Sequence, residues 1–72
     1  MESKVLGRSL VVEARFADKV RAILEVFLNV GCATLKDESY YGKYAEFVIG
    51  CCNEGVFLGI ISDIMAEGIE LF

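Results

Sequence analysis

The chain reads as a small α+β domain with two helices on one face of an antiparallel or mixed sheet. Three observations predict this. The spacing of apolar residues switches from two to 3.6 and back, twice along the chain. Turn residues fall at the switches. The sequence has 72 residues, no proline, no low-complexity tract and no repeat, so it forms one domain, 1–72, with an ordered core from about residue 9.

The first element is "LVVEARF", where Val12, Ala14 and Phe16 alternate with Val11, Glu13 and Arg15. That period of two predicts a half-buried strand. "ADKVRAILEVFLNVG" follows with Val20, Ile23, Leu24, Phe27 and Val30 at helical spacing, and Gly31 closes the segment as a C′ glycine would. Arg21 and Glu25, four apart, can pair on the polar stripe. "CATLKDE" predicts a second strand and "KYAEFVIGCC" a third, with turn chemistry in "DESYYG" between them. In the third strand Ala45, Phe47, Ile49 and Cys51 share one side; Tyr44, Glu46, Val48, Gly50 and Cys52 share the other. Asn53 is a good N-cap for a helix over "EGVFLGIISDIMAE", with Phe57, Ile60, Ile61, Ile64 and Met65 on its buried face and Gly68 at its end. Gly55 and Gly59 offer that helix a close approach to a neighbour. The tail "IELF" alternates and can add a short last strand.

The order is βαββα(β), the split β-α-β, ferredoxin-like pattern. Both helices then lie on one sheet face, and the other is left bare. The alternation assigns Val11, Glu13, Arg15, Tyr44, Glu46, Val48 and Cys52 to the bare face.

Composition bounds the function. Apolar residues make up 56% of the chain and the mean hydropathy is +0.53, which excludes disorder. The apolar stretches are broken well short of the roughly 20 residues a membrane span needs. The N-terminal "MESKVLGRSL" lacks the long apolar core of a signal peptide. Three cysteines without a spaced framework suit a reducing compartment, so a soluble, cytoplasmic protein is expected. The net charge is −4, and every Lys and Arg lies at or before Lys43. The acidic remainder disfavours nucleic acid and suits a basic protein surface.

Little catalytic equipment is present. There is no histidine to activate a nucleophile, no phosphate-binding glycine loop and no C-x₂-C metal spacing. The expected thiols are free, no metal or cofactor is called for, and the chain is read as a non-enzyme. Cys32 would face Cys51 across the hairpin only if the turn centred on Tyr41-Gly42. Asp37 and Glu38 are read as turn carboxylates, and the tyrosines of "SYYGKY" as interface anchors in and beside the same turn.

The element order resembles small regulatory domains of the ferredoxin-like class, including ACT-type ligand-binding domains, over Leu10 to Phe72. The size and charge balance are similar to those of the small acidic proteins by which phages block host defence or transcription. The first resemblance implies a small-ligand sensor with its pocket at a dimer interface. The second implies a protein that binds a partner protein and inhibits or regulates it, and this reading is preferred. Its candidate contacts are Tyr40, Tyr41, Tyr44, Glu46, Val48, Glu54, Asp63 and Glu67. A homodimer through the bare sheet face is also expected, since the chain has more apolar surface than so small a domain readily buries, with a different protein as the competing occupant of that face.

Overall fold

The computed structural model describes residues 6–51 and 53–72, with Leu6 described by its backbone. The elements run β1 (Leu6–Glu13), a 3₁₀ turn (Ala14–Phe16), α1 (Ala17–Asn29), β2 (Ala33–Tyr41), β3 (Tyr44–Cys51) and α2 (Glu54–Ala66). The strands form one antiparallel sheet in the order β1-β3-β2. No helix among the described residues is long and apolar enough to cross a membrane.

β1 starts earlier and ends sooner than its alternation predicts. The Ala14 N–H donates to the Lys43 carbonyl at 2.7 Å, after which the chain winds through Ala14–Phe16 into α1. Arg15 therefore leaves the strand, and its Nε donates to Glu13 Oε1 at 2.6 Å. α1 stops where the glycine predicts. Gly31 has φ +81, its N–H reaches Leu28 O, and the Cys32 N–H reaches Phe27 O. This pair of bonds is a Schellman ending, which a residue with a Cβ would strain.

β2 extends through "DESYY", where the turn-forming residues predict a turn. The loop is only Gly42-Lys43, between the paired Tyr41 and Tyr44. Gly42 has φ +61 while Lys43, like every described residue other than glycine, has no positive φ, the pattern of a type II′ hairpin turn. A register shift between Leu35 and Asp37 adds Lys36 as a bulge. Turn and bulge together place Ala33, not Cys32, opposite Cys51, so the cross-strand cysteine pairing does not arise. The Cys32 thiol is free and half-buried, Cys51 is buried, and Cys52 lies outside the described residues.

The core lies between one sheet face and both helices. It joins Leu10 and Val12 of β1, Ala45, Phe47, Ile49 and Cys51 of β3, Val20 and Leu24 of α1, and Ile60 and Ile64 of α2. Each fully buried Leu, Ile, Val or Phe contributes about 1.5–3 kcal/mol of transfer free energy. Lys19, early in α1, reaches Glu67, just beyond α2, at 3.6 Å, so the helices run in opposite directions. At their crossing, Gly59 faces the Phe27 ring. Gly55 faces only its own cap, Asn53. Two expected core residues point outward: Met65 is 59% exposed and Val30 is 69% exposed. Both sit at the edge of their apolar stripe, where the arc has already turned to solvent.

The tail Ile69–Phe72 forms no strand. It still runs beside β1: the Phe72 N–H donates to the Val11 carbonyl at 2.9 Å, Ile69 is buried and Leu71 packs on the core.

Candidate functional site

Cross-strand partners share a side of the sheet. The register therefore maps the side away from the helices row by row. Glu13, Tyr44 and Tyr41 form one row; Val11, Glu46 and Ser39 the next; then Ser9, Val48 and Asp37; and last Gly7, Gly50 and Thr34. No described element covers these rows. They form a broad surface with Val11 and Val48 central and tyrosines at the hairpin end. At that end the Tyr44 and Phe72 rings meet edge to face, with centroids 5.2 Å apart and planes at 73°. Such a contact holds Tyr44 in one orientation while Phe72 stays largely exposed.

The charges that the register places on this face, Glu13, Asp37 and Glu46, are all negative; Lys36, in the bulge, has no cross-strand partner to fix its side. Glu13 accepts from Arg15. Asp37 accepts from Ser39 Oγ at 3.2 Å. Glu46 is half-buried, and among the described residues no hydrogen bond or ion pair engages its carboxylate.

The helix-facing rows end in polar clamps at the sheet margins. On the β2 side, Arg21 donates from Nε and Nη2 to the two Glu38 oxygens at 3.3 and 2.5 Å, from Nη1 to Asp18 at 2.8 Å, and from Nη2 to Tyr40 Oη at 2.9 Å. The Tyr40 hydroxyl donates to Glu38 Oε2 at 2.5 Å. The guanidinium, then the phenol, hold the Glu38 carboxyl below its ordinary range. Glu38 in turn raises the Tyr40 hydroxyl and the Arg21 guanidinium. Arg21 is thus engaged with Asp18 and Glu38, not with Glu25. On the β1 side, Arg8 pairs with Glu54 and lies over the Phe57 ring, 5.8 Å from its centroid.

The eight residues singled out from the sequence therefore divide. Tyr41, Tyr44, Glu46 and Val48 come together on the uncovered sheet face. Tyr40 faces the helix side and belongs to the Arg21 clamp. Glu54, Asp63 and Glu67 lie in or beside α2, in the other layer, where Glu54 and Glu67 are already paired with Arg8 and Lys19. Arg15, expected on the bare face, stands in the 3₁₀ turn beside it. Asp37, Ser39 and Phe72 join the sheet-face surface without having been assigned to it from the sequence. The alternation in β3 was enough to find Glu46 and Val48, but nothing in the sequence marks the Lys36 bulge that sets which β2 residues join them.

Among the described residues no group of His, Cys, Asp and Glu is arranged to hold a metal ion, and no pocket opens in the surface. Compared with protein-family models, with curated proteins and with solved structures, the chain matches none.

Proposed function

We propose that this is a non-enzymatic interaction protein of ferredoxin-like βαββα type, which binds a partner protein on its uncovered sheet face and so inhibits or regulates it. One observation carries the reading: a three-stranded sheet with a helix layer on one side only, whose other side presents Val11, Val48, Tyr41 and Tyr44 amid carboxylates. Exposed tyrosines around an apolar centre are the usual anchors of protein interfaces. The carboxylates favour a partner with a basic surface, as expected of an acidic cytoplasmic inhibitor, and disfavour nucleic acid.

In this proposal the sheet face is kept for a different protein rather than for a second copy of the chain. A two-fold dimer through the sheet would bring two copies of the Glu13, Asp37 and Glu46 carboxylates into one interface. The helix layer exposes Val26, Val30, Leu58 and Met65, interspersed with the exposed carboxylates of Glu25 and Asp63.

The test is site-specific photo-crosslinking in a lysate of the organism that encodes the chain. A crosslinker at Val48 should capture one protein, and one at Ala22, exposed on α1, should not. The captured protein's own activity should change when the purified chain is added. Capture from Ala22 alone, or equally from both, overturns the sheet-face assignment. A metabolite that raises the melting temperature strongly, with no protein captured, overturns the interaction reading in favour of an ACT-like ligand sensor.

A further inference from the structure

We infer that the sheet face receives an arginine side chain of its partner protein, with Glu46 as the anchoring carboxylate. This rests on the sheet-face reading above and names the chemistry of its occupant.

Glu46 sits on the middle strand, with Val11 on one side in register and Ser39 on the other. Tyr44 and Val48 flank it along β3 on the same side. Its carboxylate is half-buried and has no cation among the described residues, and the chain's arginines are spent elsewhere. Arg8 is held by Glu54, Arg15 by Glu13, and Arg21 by Asp18 and Glu38. A partly desolvated carboxylate gains most from a charge-assisted, two-pronged hydrogen bond, which a guanidinium makes and an ammonium does not. Tyr44 adds an aromatic face beside the carboxylate, and its ring is already steadied by Phe72. Guanidinium groups stack on such faces. Asp37, one row along beside Val48, is a second carboxylate on this face with no ion pair among the described residues, while Glu13 in the row on the other side is held by Arg15. A second copy of the chain supplies no uncommitted arginine from its described residues and brings its own carboxylates.

The experiment titrates ¹⁵N-labelled protein with hexa-arginine and hexa-lysine peptides at fixed ionic strength, following backbone amide shifts. Hexa-arginine should move Val11, Ser39, Tyr44, Glu46 and Val48 saturably, and hexa-lysine should bind several-fold more weakly. E46Q should weaken hexa-arginine about tenfold, as expected for losing one bond to a charged group. E25Q, which removes an exposed α1 carboxylate, should change it by less than about twofold. The E46Q spectrum itself reports whether the fold is kept, and E46D provides a second variant that retains the charge but shortens its reach.

Equal losses from E46Q and E25Q, equal binding of the two peptides, or shifts centred on the helices overturn the inference. So does a wild-type dimer in sedimentation that E46Q tightens, since the face would then be a self-interface. A Val48 crosslink to a partner whose affinity ignores E46Q rejects the arginine anchor and leaves the sheet-face reading standing. Mapped, E46Q-sensitive peptide binding with no crosslinked partner does the reverse.

Discussion

Replacing Gly59 by alanine should stabilise the protein. Glycine inside a helix costs about 0.8–1.0 kcal/mol relative to alanine, mainly through backbone entropy. The gain is realised only if a methyl group fits. A Cβ built at Gly59 would meet Phe27 Cε2 at 3.7 Å and Cζ at 3.9 Å. These are ordinary van der Waals contacts, so the methyl group fills the helix crossing without pushing the helices apart. G59A should therefore gain about 1 kcal/mol, raising the melting temperature by roughly 4–8 °C for a domain of this size. The assay is thermal and urea unfolding of both proteins by circular dichroism. Two other glycines serve as controls. A Cβ at Gly55 would stand 3.2 Å from Asn53 Oδ1, the atom that caps α2, so G55A should gain less. Gly68 has φ +78, and G68A should lose roughly 1–2 kcal/mol from left-handed strain. A G59A protein less stable than the wild type would refute the reasoning, because it would mean that the helices pack closer at Phe27 than these distances allow.

Asn53 Oδ1 accepts the Val56 N–H at 3.0 Å, so N53A should cost about 1 kcal/mol, read as a lower urea midpoint with an unchanged slope. The Arg21 clamp makes a pH prediction. Glu38 is held below its ordinary value of 4.5 by the Arg21 hydrogen bond, so its folded pKa lies under its unfolded one. The stabilisation is then full above that ordinary value and is lost as pH falls through the folded value. The urea midpoint of E38Q should fall furthest below that of the wild type at pH 7, and the gap should close toward pH 3; a gap independent of pH refutes the clamp.

Much of the fold is legible in the sequence because burial dictates period. Phe47 and Ile49 alternate with Glu46 and Val48, and the structure buries the first pair and leaves the second on the open side. Gly31 and Gly68 end their helices in the only backbone region where glycine is needed. The margins are less legible. "DESYY" carries turn-forming Asp and Ser, yet it extends as a strand because β3 pairs with it and Arg21 reaches down to Glu38 and Tyr40. Tertiary partners outweigh local propensity there. The bulge at Lys36 also inverts the alternation. Ala33 and Leu35 turn toward the helices, and beyond the bulge Glu38 and Tyr40 do. A strict period of two would have put Tyr41 on the helix side and Tyr40 on the open one. The candidate surface was thus half readable: β3 announced itself, while β2's contribution depended on one extra residue with no signature of its own. Charge alone groups the acidic residues of α2 with the tyrosines, but the fold places them in the opposite layer.

The strand order also sets the sequence in which the chain can assemble. A two-residue loop lets β2 and β3 zip together with almost no entropy of closure, within the microseconds typical of hairpins. β1 must then return to the free edge of β3 across the whole span of α1 and β2, and the growing Val12–Ala45 and Leu10–Phe47 contacts reward that return only after the long loop has closed. The hairpin would thus form early, and the docking of β1 would set the folding rate. Substitutions in β1 should slow folding, whereas those confined to the outer face of α2 should mainly hasten unfolding.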